Sequence, residues 1–234
     1  MSVLDKYKFE LKKRGIFGAV TGERLSGKST LAGTLPGKTA MLVTELFETG
    51  AGSAIQMAKK MGNMLDVYKF DNISSLLEIA EAASKSYDNI YIDSASGITE
   101  VMYRTPEMQA LIKKNSWDGF RFLAEKVEDL MLRTKELTEN SKLNILYTVA
   151  LVKDKDGDLV PETKGNAVVK NIRAIFPVVL ALRPSYNEDG KSTAPTLVTS
   201  SSYPYMARLD DLLIENNPGV MDADLSKVLK LLKG

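Results

Sequence analysis

The stretch Gly22-Glu23-Arg24-Leu25-Ser26-Gly27-Lys28-Ser29 constrains the fold of this chain more than any other part of it. It matches G-x-x-x-x-G-K-[ST] at every fixed position, a pattern that needs a strand before it and a helix after it. Ile16-Phe17-Gly18-Ala19-Val20 is a short apolar run that reads as a buried strand. Residues 28–35 read as a short helix stopped at Pro36-Gly37. In this setting the glycines let backbone N–H groups turn inward around phosphates, and the helix N-terminus adds partial positive charge. The phosphate-binding set is then Gly22, Glu23, Arg24, Leu25, Ser26, Gly27, Lys28, Ser29 and the following Thr30. Lys28 would reach the β- and γ-phosphates of a nucleotide, and Ser29 would ligate Mg²⁺.

Composition narrows the chemistry further. The 234 residues contain no cysteine and no histidine. That removes disulfides, thiolate nucleophiles, zinc–thiolate sites, imidazole bases and Ser-His-Asp triads. What remains is carboxylates, Lys and Arg, hydroxyls, backbone amides and a hard cation such as Mg²⁺. The 31 Lys+Arg against 30 Asp+Glu leave a net charge of +1, so any nucleic-acid surface must be local. No apolar run approaches the roughly 18 residues of a membrane span. The polar start Met1-Ser2-Val3-Leu4-Asp5-Lys6 is unlike a secretory signal, and cytoplasm is the simplest location.

The rest of the chain alternates strand and helix patterns. Residues 1–14 form a basic N-terminal arm, and residues 15–234 read as one domain. Strands are expected at Thr39–Thr44, Val67–Phe70, Asn89–Asp93 and Leu143–Leu151. Helices are expected at Ser53–Met61, with Ile55, Ala58 and Met61 on one face, and from an N-cap at Ser74. Residues 98–116 look irregular; a long helix runs from about Trp117, its core anchor, to Glu139. Asp156-Gly157 signals a turn or hairpin, Phe176–Leu182 and Thr196–Thr199 read as two more strands, and a helix spans about Asp222–Lys233. This is an α/β pattern: a mostly parallel sheet flanked by helices, with antiparallel strands near the C-terminal end.

A phosphate-binding loop of this type needs an acid to complete the Mg²⁺ shell, and Asp93 at the end of Ile90-Tyr91-Ile92-Asp93 supplies it. Hydrolysis also needs a carboxylate for the attacking water. Residues 94–97 contain none. Glu45, ending Met41-Leu42-Val43-Thr44-Glu45, is the candidate, and Glu48 before Thr49-Gly50 is its rival.

The loop at Gly22–Ser29, the strand-end Glu45, Ile-Asp-Ser at 92–94 and Ala58-Lys59-Lys60-Met61-Gly62 between them resemble the RecA-like core of P-loop NTPases. At this length the chain is similar to the small phage AAA-like ATPases that act as single-strand annealing recombinases. The resemblance covers roughly residues 15–232. It implies an ATP-dependent, oligomerising protein, ring or filament, that binds single-stranded DNA, with a single-strand-binding protein or replication partner as possible company. It also implies Glu45 as the water-activating base, Thr148 as a polar sensor, and DNA-contacting loops over residues 152–173. In that stretch the basic residues are Lys153, Lys155, Lys164, Lys170 and Arg173. Arg208 stands where the family often has a basic pair that acts on a neighbouring subunit's nucleotide; its second member is missing here.

Two other functions remain open from sequence. A nucleotide-gated loader or adaptor would bind ATP with little hydrolysis. A small-molecule phosphotransferase would carry an Arg-rich lid, and the 153–164 segment contains no Arg.

Overall fold

A computed structural model describes residues 15–44, 50–139, 141–164, 175–189, 192–201, 205, 207–209 and 217–233. The N-terminal arm lies outside them. Nine strands form one sheet: β1 (Phe17–Glu23), β2 (Lys38–Thr44), β3 (Met64–Phe70), β4 (Asn89–Asp93), β5 (Asn144–Lys153), β6 (Leu159–Pro161), β7 (Val178–Tyr186), β8 (Ser192–Val198) and β9 (Val220–Asp222). Their order is β3-β2-β4-β5-β1-β7-β8-β9, with β6 on the end of β5. From β3 to β7 every pairing is parallel; β7–β8, β8–β9 and β5–β6 are antiparallel. The fold is that of a P-loop NTPase, with β5 lying between the strand of the phosphate-binding loop and the strand that ends in Asp93.

The apolar runs become central strands because both faces of the sheet are covered. Along β4, Ile90 and Ile92 point to one face and Tyr91 to the other, all fully buried. On the Ile90 face lie α2 (Ile73–Ala83), α3 (Ala95–Tyr103), α4 (Pro106–Lys114) and α5 (Ser116–Glu139). On the Tyr91 face lie a 3-10 helix (Ser29–Thr34), α1 (Ala51–Met61) and α6 (Leu225–Lys233). The chain thus leaves β1 towards one face and β4 towards the other. The strand ends diverge there, and that opens a crevice at the carboxyl edge of the sheet.

Several elements depart from the sequence reading. The helix after the phosphate-binding loop is 3-10, with Leu31 N–H shared between Gly27 O (3.3 Å) and Lys28 O (3.2 Å). Gly33 inside it and Pro36 just beyond leave no length for an α-helix to establish itself. Residues 98–116 are mostly helical: α3 is capped by Ser94, and α4 by Thr105 followed by Pro106, a strong start signal hidden in a polar stretch. Asn72, not Ser74, caps α2; its side chain accepts from Ser75 N, and Ser75 Oγ accepts from Asn72 N, a reciprocal capping box. In α1 the buried residues are Ala54 and Ala58, while Met61 is 43% exposed. Trp117 is 75% exposed, so it does not anchor α5 in the core; Leu123, Val127, Leu130 and Met131 do.

α6 buries Leu225, Val228, Leu229 and Leu232 against the 3-10 helix and its neighbours. Each such side chain contributes about 1.5–3 kcal/mol by leaving water. Its first N–H, on Leu225, donates to Oγ1 of the buried Thr34 at 2.9 Å, across 191 residues. The segment behind the phosphate-binding loop is therefore completed by the end of the described chain. Among the described residues no helix is long and apolar enough to cross a membrane.

Candidate functional site

The crevice is a cleft of about 690 Å³ lined by the phosphate-binding loop, Gly50 and Ser53 of the α1 start, Asp93 to Glu100, Ala150, and Glu162 to Lys164. The loop's shape follows from its sequence. Gly27 sits at φ +97°, which a side chain would strain. Leu25 takes φ 62° without being glycine and is fully exposed, a local strain of the kind found at binding loops.

Lys28 is 9% exposed; its ammonium donates to Gly22 O (2.9 Å) and Glu23 O (2.7 Å), curling the loop around itself. Burial lowers its pKa to about 8, against the charge of Asp93, which raises it. Beneath the loop the buried Tyr91 hydroxyl donates to Lys28 O at 2.5 Å. That bond fixes the main chain at the residue whose side chain carries the charge.

Ser29 and Asp93 meet at Gly50. A Cβ added there would fall 2.3 Å from Ser29 Oγ and 3.5 Å from Asp93 Oδ2. Only a glycine lets α1 start so close to the two oxygens. Thr148, fully buried on β5, donates from Oγ1 to Asp93 Oδ1 and so holds the carboxylate in one orientation. The sequence-derived residues Lys28, Ser29, Asp93 and Thr148 are therefore brought to one place.

The lining has three cationic side chains (Arg24, Lys28, Lys164) and three carboxylates (Asp93, Glu100, Glu162). Such a neutral wall does not by itself compensate a polyphosphate, so a divalent cation suits it. A hydroxyl and one carboxylate form a hard oxygen donor set of the kind Mg²⁺ takes, with the remaining ligands from phosphate and water. Consistently, the described residues contain no cluster of three or more acids, His or Cys that would hold a metal unaided. Ser96 Oγ on the cleft wall is buried with no hydrogen-bond partner among the described residues, leaving a hydroxyl for a ligand.

Other expected residues fall elsewhere. Glu45 and Glu48 lie outside the described residues; β2 ends at Thr44, one residue beyond Val43, the register partner of Asp93. Lys153 and Lys155 are exposed at the β5–β6 hairpin. Lys170 and Arg173 lie outside the described residues. Arg208 is pinned through its backbone to Val179 of β7, N to O at 2.7 and 2.6 Å. Lys164 is exposed and also lines the cleft, 3.3 Å from Glu100.

Sequence reasoning missed Gly50, Tyr91, Glu100 and Glu162. Arg24 donates through Nε and Nη2 to both oxygens of Glu162, 138 residues away, and no local signal announces such a pair. Tyr91 carried a legible hint: the strand Ile90-Tyr91-Ile92 puts one hydroxyl on a fully buried face, where it needs a partner.

Among curated proteins no match was found. A family model described as AAA domain matches residues 14–208 of the 234. A match over most of the chain, taking in the phosphate-binding loop, Asp93, Thr148 and the strands between them, makes this protein a member of the AAA domain family of nucleotide-binding ATPases.

Proposed function

We infer that the protein is a Mg²⁺-dependent ATPase that self-assembles and binds single-stranded DNA in phage recombination or replication. The observation that carries the ATPase part is the convergence of Ser29, Asp93 and Thr148 beside the buried Lys28. Ser29 and Asp93 are the residues that would hold Mg²⁺. When bound, the ion supplies positive charge against the negative charge that accumulates on the phosphoryl oxygens during transfer. Lys28 exchanges its loop carbonyls for phosphate oxygens, and the N–H groups of the loop bind the rest. Thr148 occupies Oδ1 of Asp93, which leaves Oδ2 on the side of Ser29. Tyr91 keeps the loop's main chain in place while the Lys28 side chain moves. Glu45, the next residue in sequence after β2, takes the proton of the attacking water, with Glu48 as its rival.

The DNA-binding part rests on Lys153 and Lys155, exposed at the β5–β6 hairpin, with Lys170 and Arg173 further along. A subunit of net charge +1 gains little from a polyanion alone. Affinity then grows from arrayed subunits and falls steeply with salt. Arg208, with its backbone held at β7, is the candidate for contact with a neighbouring subunit's nucleotide.

The test is ATP turnover by the full chain with and without single-stranded DNA, alongside particle mass by light scattering. Turnover stimulated by DNA in an oligomer is expected. A folded protein that turns over no ATP in either condition refutes the ATPase reading. ATP binding without turnover, in a monomer indifferent to DNA, moves the protein to the adaptor class.

A further inference from the structure

The three cations of the cleft are held in different ways, and the difference singles out one of them. Lys28 belongs to the phosphate-binding loop. Arg24 engages both oxygens of Glu162 in a fork, so its departure would strip that carboxylate of two charge-assisted hydrogen bonds at once. Among the described residues the Lys164 ammonium has one polar contact, 3.3 Å from Oε2 of Glu100, and lies 5.2 Å from the centroid of the Tyr103 ring. Oε1 of Glu100 meanwhile accepts from Arg104 Nε at 2.7 Å. Lys164 can therefore leave Glu100 without orphaning the carboxylate.

Its backbone, in contrast, is fixed. Lys164 N donates to Oγ1 of the buried Thr99 at 3.3 Å, and Glu162 N donates to Ala150 O at 2.7 Å. The result is a firmly placed residue with a half-exposed, loosely held ammonium on the wall that also carries Asp93 and the unpartnered Ser96 hydroxyl. A nucleoside triphosphate brings one phosphoryl group and its charge more than a diphosphate. The neutral lining has one cation ready to turn towards it.

We propose that Lys164 contacts the terminal phosphate of a triphosphate bound in the same subunit, leaving Glu100 to do so, and that it thereby separates triphosphate from diphosphate. This rests on the reading of the cleft as a nucleotide site and extends that site from the loop to the α3–β6 wall.

The experiment is isothermal titration of the full chain, in Mg²⁺, with ADP and with the non-hydrolysable adenosine 5′-(β,γ-imido)triphosphate. Lys164→Gln is expected to weaken the triphosphate analogue about tenfold, or about 1.4 kcal/mol, with ADP nearly unchanged. Lys164→Arg is expected to preserve the discrimination. Equal losses for both nucleotides, or no loss for the analogue, overturn the assignment. If Lys164→Gln lowers the thermal midpoint, Glu100→Gln decides: freeing the ammonium in place should hold or tighten analogue binding, and weaker binding overturns the assignment. Lys28→Ala separates the two levels. If wild type binds neither nucleotide, or Lys28→Ala binds like wild type, the nucleotide reading itself fails and takes this inference with it. If wild type binds both, Lys28→Ala binds weakly and Lys164→Gln behaves like wild type, only the role of Lys164 is lost.

Discussion

The two walls of the cleft are built on opposite principles. One is local: Gly22 to Ser29 are consecutive, and their spacing alone dictates a loop that curls around Lys28. The other is assembled from afar: Lys164 meets Thr99 across 65 residues, and Glu162 meets Arg24 across 138. The local wall binds whatever phosphates enter, because its donors are backbone groups and a buried ammonium. The assembled wall has side chains that can change partners, and that is where discrimination between ligands can reside. Asp93 and Thr148 join the two: Asp93 closes one central parallel strand, and Thr148, midway along its neighbour, holds that carboxylate.

Breaking the local wall should have the largest effect. Lys28→Ala is expected to lower ATP turnover by roughly a hundredfold or more, measured by phosphate release; unchanged turnover would refute the phosphate-binding assignment. Glu45→Gln comes next. It should retain ATP binding while turnover drops by about a hundredfold, and the same behaviour in Glu48→Gln instead would transfer the base to that residue.

Smaller effects sharpen the comparison through pH. Burial brings Lys28 to about pKa 8. Its ammonium is therefore charged below that pH and lost from the free protein above it. Triphosphate affinity should fall by up to about tenfold per pH unit above 8, and Lys28→Arg should flatten the profile. Stability runs the other way. The unfolded chain holds this proton more tightly, so the contribution of Lys28 to stability rises between about pH 8 and 10.5. Denaturation midpoints across that range check the sign. Smallest is Tyr91→Phe: loss of its hydrogen bond to Lys28 O should reduce stability by about 1 kcal/mol in urea titration, with Lys164 discrimination unaffected.

The local wall was legible in the sequence and the assembled one was not, for a physical reason. A motif is visible when the residues that act together are also neighbours in the chain. The strand-end position of Asp93 is nearly as visible, because a run of alternating buried residues has to stop where the sheet does. In sequence Lys164 falls among the DNA-contacting loops that the resemblance implies over residues 152–173, and its polar surroundings, Glu162 to Gly165, near the turn signal at Asp156-Gly157, give no sign of a cleft. What the sequence could not convey is that the hairpin's return strand passes the mouth of the cleft and that Glu100 faces it. The helices at 95–114 were missed for a related reason. Their hydrophobic faces are short and their caps, Ser94 and Thr105-Pro106, stand among polar residues. Trp117 misled in the opposite sense, since its size suggested burial and its place at the start of α5 leaves it in solvent.

The hydrogen bond from Leu225 to Thr34 has a consequence in time as well as in space. During synthesis, every described residue that lines the cleft has been made once Lys164 leaves the ribosome. The 3-10 helix behind the loop, however, still lacks α6, its apolar cover and the donor that satisfies Thr34. Nascent chains arrested before residue 225 are therefore expected to carry a complete set of ligand-binding side chains and yet to retain little nucleotide. The capacity to hold nucleotide is then expected to arrive late, with α6, so that a half-made chain does not compete with longer ones for ligand.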